Sequence, residues 1–113
     1  IDDTTFPEVS ISVYSFNMNT ITKSPDAVKA FLAAVEKAVV EINNNKDSYT
    51  NLMVELNLVP AAIIGTYPIP DFPLASVPSE AQFADALAWA SAKNLVTPDL
   101  LYADNVDASF LPD

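Results

Sequence analysis

The sequence predicts a single domain over residues 1–113 that is mostly α-helical with one minor strand. Three observations predict it. Apolar residues recur at helical spacing from Val28 to Ile42. A Ser-x-x-Gln capping signature at Ser79 and Gln82 stands before a second helical stretch. Only one segment, Glu8–Phe16, alternates with period two.

In that first segment Val9, Ile11 and Val13 point one way and Ser10, Ser12 and Tyr14 the other, the pattern of a half-buried strand. A lone strand leaves a row of unpaired N–H and C=O groups, and even a two-stranded hairpin is marginal in water. The sequence offers it no convincing second strand. Its partner is expected in a longer parent chain or in a second copy, as a strand-mediated homodimer. With Ile1 first and no signal-type leader ahead of it, a mature processed end or an excised piece is expected, and the loop-like start Ile1-Asp2-Asp3-Thr4-Thr5 favours the excised piece.

Ser24-Pro25-Asp26 opens the first expected helix. Ser24 suits the cap, Pro25 the first helical position, and Asp26 the positive end of the dipole. Val28, Phe31, Leu32, Val35, Val39 and Ile42 form its apolar stripe, and Asn43-Asn44-Asn45 ends it. A second helix is expected over Ser48–Leu56, capped by Asp47 and burying Leu52, Met53 and Leu56. Pro60 starts a short third helix over Ala61–Ile64, stopped by Gly65. Tyr67–Pro73 holds three prolines in seven residues; lacking donors and with φ locked, it is an extended connector. The helix begun at Ser79 runs to about Lys93, burying Phe83, Ala86, Leu87 and Ala90 with Trp89 on its flank, and Asn94 stops it. The tail carries a short turn over Asp99–Tyr102 and apolar anchors at Val106, Phe110 and Leu111.

Composition restricts the chemistry. Fifteen carboxylates face five lysines, with no arginine and no histidine, for a net charge of −10. A phosphate backbone is repelled and the bidentate arginine contacts that read guanine are lacking, so nucleic acid is excluded as a partner. No apolar run approaches the roughly 20 residues of a spanning helix. Without cysteine there are no disulfides, thiol nucleophiles or zinc thiolates. A serine nucleophile needs a base, and one glycine, Gly65, builds neither a phosphate-cradling loop nor a nucleophile elbow. Asp99, Asp104 and Asp107 lack the spacing, glycine and closing glutamate of a calcium loop. Glu36 and Glu41 read as solvated decoration of a helix face. No catalytic residue, metal site or cofactor is expected.

Two residues are left as ligand-binding candidates. Tyr14 and Asn17 stand at the polar face and carboxyl end of the expected strand, where open α/β sheets often bind ligands. Packing of a strand end on a neighbouring element is the commoner use of such residues. Tyr67 and Phe72 are expected to pin the connector.

Three motifs occur in order and in register. Val9–Phe16 is followed by Pro25-Asp26-Ala27-Val28-Lys29-Ala30-Phe31. Ala84–Val96 closes on Lys93-Asn94-Leu95-Val96. The tail reads Tyr102-Ala103-Asp104-Asn105-Val106-Asp107-Ala108-Ser109-Phe110-Leu111-Pro112. Together they resemble the carboxyl-terminal third of the solute-binding proteins of ABC importers of the nitrate/sulfonate/taurine and thiamine-precursor type. The resemblance implies a parent with two lobes of α/β, type II periplasmic-binding-protein architecture, exported to the periplasm or outer cell surface. Such a parent captures a small solute by lobe closure and delivers it to an ABC permease. The partners implied are the remainder of the parent, the permease and the solute. The principal ligand-contacting segments of that family lie upstream, so this portion alone is expected not to bind solute well. The other reading is a stand-alone acidic helical interaction or dimerisation module.

Overall fold

The computed structural model describes residues 12–112. It is mostly α-helical, in the order α1 (Met18–Lys23), α2 (Pro25–Asn44), α3 (Lys46–Glu55), a 3-10 turn (Ala61–Ile63), α4 (Glu80–Ala92) and α5 (Tyr102–Asn105). No strand occurs among the described residues. The expected strand falls partly outside them, at Glu8–Ile11. Its described part, Ser12–Phe16, is irregular, with Val13 and Tyr14 exposed.

Helix α1 was not anticipated. Asn17, in extended backbone, caps it by accepting the Thr20 N–H at 2.8 Å. Six residues of mixed polarity carry no periodicity to read; the signal is the asparagine three residues ahead of Thr20. The presence of α1 also changes the start of α2. Ser24 ends α1 and begins α2 at once: its N–H donates to Thr20 O at 2.9 Å and its carbonyl accepts from Ala27. With ψ at 51° it lies outside the extended region a side-chain cap requires, and its hydroxyl makes no capping bond, contrary to expectation. Pro25 and Asp26 occupy the first turn as predicted.

Asn45 separates α2 from α3, which begins at Lys46, so Asp47 lies inside the first turn and is not the cap. Both α3 and α4 end in a Schellman turn. After α3, Asn57 takes φ 56°, Leu58 N–H donates to Met53 O at 2.8 Å and Asn57 N–H to Val54 O at 2.9 Å. After α4, Asn94 takes φ 57°, Leu95 N–H donates to Ala90 O at 3.0 Å and Asn94 N–H to Ser91 O at 2.9 Å. At its start α4 has the predicted capping box: Ser79 Oγ accepts Gln82 N–H at 3.2 Å, and Gln82 Oε1 accepts Ser79 N–H at 2.8 Å. The tail's helix is α5, slightly beyond the turn expected at Asp99–Tyr102; the Tyr102 hydroxyl donates to Pro78 O at 2.7 Å and its ring meets Phe83 edge-on.

Packing is sparse. Helix α1 packs on α2, α2 on α3, and α4 on α5. Among the described hydrophobics only Val28 (3 % exposed) and Val59 (5 %) are buried. The radius of gyration, 16.9 Å, exceeds the roughly 13 Å of a compact domain of this length. Leu32, Val35, Val39 and Ile42 of the α2 stripe are half-buried, but Phe31 is exposed. On α3 the expected burial fails for Leu52 and Leu56, which are exposed, while Met53 is half-buried. On α4 Phe83, Leu87 and Ala90 are half-buried and Ala86 is exposed. The reason is common to all: these faces have the right spacing, but no further described element lies over them.

Candidate functional site

The sequence candidates Tyr14 and Asn17 end up beside α1 and α2. Asn17 Oδ1 accepts both the Thr20 N–H at 2.8 Å and the Thr20 hydroxyl at 3.1 Å. An amide oxygen has two lone pairs, and both are engaged in holding the helix start. Tyr14 stands edge-on to Phe31 at 5.3 Å between ring centroids, and Phe16 meets the same ring at 5.7 Å. Such pairs stabilise by about 0.5–1.5 kcal/mol beyond area burial. The trio joins the segment before α1 to the face of α2, and it leaves Tyr14 largely exposed. The two candidates therefore do not converge on a pocket.

The engaged polar groups hold helix ends and connections. Glu41 Oε1 accepts the Asn45 amide at 2.9 Å across the α2–α3 junction. Lys46 Nζ sits 2.6 Å from Asp71 Oδ1. Asn43 makes two hydrogen bonds with the backbone of Phe72, so the connector is pinned through its main chain and not through the Phe72 ring, which is exposed. Lys29 Nζ lies 5.9 Å from the Phe110 ring centroid, tying the tail to α2.

Two aspartates of the tail, Asp99 and Asp107, are engaged by neighbouring groups. The Ser109 N–H, 2.8 Å from Asp107 Oδ1, and then the Ser109 hydroxyl hold the Asp107 carboxyl below its usual range. The Thr97 hydroxyl and then its own backbone N–H do the same for Asp99. Among the described residues no three acidic, histidine or cysteine side chains come together as metal ligands would.

Two concave places among the described residues are shallow, open depressions. One is lined by Asn43–Ser48 at the α2–α3 junction. Another lies behind the end of α4, lined by Ser91 and Asn94–Pro98. There Ser91 Oγ is buried without a hydrogen-bond partner. A single hydroxyl in an open depression cannot orient a small ligand, which needs several convergent polar groups and enclosing walls.

The pronounced surface feature is apolar. Seventeen large hydrophobics are exposed among the described residues, including Leu52, Leu56 and Leu58 around the end of α3 and Trp89, Leu95 and Leu101 around α4 and α5. Leu52 and Leu56, four residues apart, share one helix face. The sequence pattern assigns Leu52 and Leu56 to a core and Trp89 to a helix flank; that their faces stay uncovered is visible only in three dimensions. No helix among the described residues is long and apolar enough to cross a membrane. No family model, curated protein or solved structure matches the chain.

Proposed function

We propose that this chain is the carboxyl-terminal portion of an extracytoplasmic solute-binding protein. The parent captures a small solute of the nitrate, sulfonate, taurine or pyrimidine class and delivers it to an ABC importer. The chain itself is a packing element with neither a complete solute site nor a catalytic role. The observation that carries this reading is the pairing of three ordered motifs with an unfinished core. Pro25-Asp26-Ala27-Val28-Lys29-Ala30-Phe31 opens α2, Lys93-Asn94-Leu95-Val96 closes α4, and the tail's Phe110 returns to Lys29 of α2. Among the described residues only Val28 and Val59 are buried. In a two-lobed parent the uncovered faces of α2, α3 and α4 lie against the remainder of the lobe.

The same exposed leucines and Trp89 support a second reading, an acidic helical module that covers these faces with another protein or a second copy. The mass of the native product in the source cell separates the two. An immunoblot of fractionated cells is expected to show a band of roughly 30–35 kDa, the size of two lobes, in the exported fraction. A single band near 12.2 kDa in the cytoplasm overturns the transport reading and leaves the module.

A further inference from the structure

The segment from Tyr67 to Ser79 connects two helical groups, α1–α3 and α4–α5, and these share no helix-to-helix packing comparable to that within each group. Its four prolines, Pro68, Pro70, Pro73 and Pro78, lock φ and remove backbone donors, so it forms neither helix nor ladder and behaves as a stiff extended piece. What holds its middle is concentrated at one place. Asn43, in the last turn of α2, donates from Nδ2 to Phe72 O at 2.8 Å and accepts Phe72 N–H on Oδ1 at 2.9 Å. One side-chain amide thus stands in for a neighbouring strand residue, satisfying both backbone groups of Phe72. One turn on, Lys46 pairs with Asp71. Both hydrogen bonds of Asn43 are solvent-exposed and Asp71 is exposed beside a half-buried Lys46, so water competes at this place, which is the signature of a region that opens locally before the helices unfold. Lys29 over Phe110 is a second tie between the groups and lies on the tail, at the other end of α2.

We propose that segment 67–79 is a strap closed by a latch at Asn43, and that opening the latch lets α4–α5 part from α1–α3. Lys46 and Asp71 steer the strap back into register, and Asn43 fixes it. The strap follows from these contacts alone and holds whether or not the chain belongs to a transport protein.

The test uses the full chain. Asn43→Ala removes both hydrogen bonds while placing a strong helix former in α2, so circular dichroism should show helicity retained. Exchange of the Phe72 amide hydrogen, followed by NMR, is expected to become at least about ten-fold faster. Asn43→Asp keeps the acceptor and loses the donor, and its exchange should fall between the two. Because the sequence has no cysteine, Lys37→Cys and Asp85→Cys place unique spin labels on α2 and α4. Their distance distribution is expected to lengthen and broaden in the Asn43→Ala background. Unchanged Phe72 exchange overturns the latch. Faster exchange with an unchanged distance distribution overturns the parting of the groups. Should Asn43→Ala lose helicity, Asn43→Asp is read by the same two measurements.

Discussion

The turns that close α3 and α4 share a sequence, Asn57-Leu58-Val59-Pro60 in one and Asn94-Leu95-Val96-Thr97-Pro98 in the other. In both, asparagine takes the left-handed conformation, and the following leucine returns its N–H to a carbonyl of the last helical turn. Leu58 and Leu95 are even equally exposed, at 66 % and 65 %. The valines part company: Val59 is 5 % exposed and Val96 39 %. Hydrogen bonds between near neighbours are set by the residues that make them, so like sequences give like turns. Burial is set by what else folds over the spot, and here the valine of the first turn is covered while that of the second is left exposed. The chain as a whole repeats that contrast, with well-formed helix ends around an open core.

The largest expected effect breaks the comparison at the valines. Val59→Ala should destabilise the chain by about 2 kcal/mol, from lost burial and a residual cavity, whereas Val96→Ala should stay within about 0.5 kcal/mol. Urea unfolding followed by circular dichroism measures both. Equal losses at the two sites would mean that the second turn is covered as well as the first.

A smaller effect sharpens the likeness. Asn57→Val and Asn94→Val each force a β-branched residue into the left-handed region and should each cost about 1–2 kcal/mol, equally at the two turns. Helix content and the urea midpoint report it. A clear inequality would show that packing, and not backbone conformation, dominates at one of them.

These turns also mark how far the sequence was legible. The Ser79–Gln82 box, Pro25 at the head of α2, the stop at Asn94 and the proline-rich connector all appear where expected, because each is decided within a few residues. Ser24 failed as a side-chain cap because an unanticipated helix, α1, ends on it and dictates its backbone angles. Asn17, a ligand candidate whose commoner use at a strand end is packing, caps that same helix. Leu52 and Leu56 were given to a core by their spacing, and spacing cannot say whether another element arrives to cover them. The Asn43–Phe72 pairing joins residues 29 positions apart and leaves no local pattern.

The smallest expected effect concerns pH and separates the tail from both turns. Asp107 and Asp99 have carboxyls held below the ordinary 3.8 by the hydrogen bonds from Ser109 and Thr97. A depressed folded-state value means that the order these carboxylates lend is present above that ordinary value and is lost as pH falls through the lower folded ones. The Ser109 amide resonance should shift on acidification from about pH 5 to about pH 2, while the amides of Leu58 and Leu95, bonded to backbone carbonyls, keep their protection until the chain unfolds. Loss of all three together would tie the tail to the turns.

The central claim is that this chain forms its helices locally and leaves their apolar faces to be covered by other polypeptide. Scanning calorimetry of the isolated 113-residue chain tests it most directly. A self-sufficient domain of this length absorbs about 80 kcal/mol in one cooperative transition. The open core predicts a broad transition with less than about half that enthalpy, at a helix content that circular dichroism shows to be intact. A single sharp endotherm near the full value would contradict the account, because it requires a closed core, whereas among the described residues only Val28 and Val59 are buried.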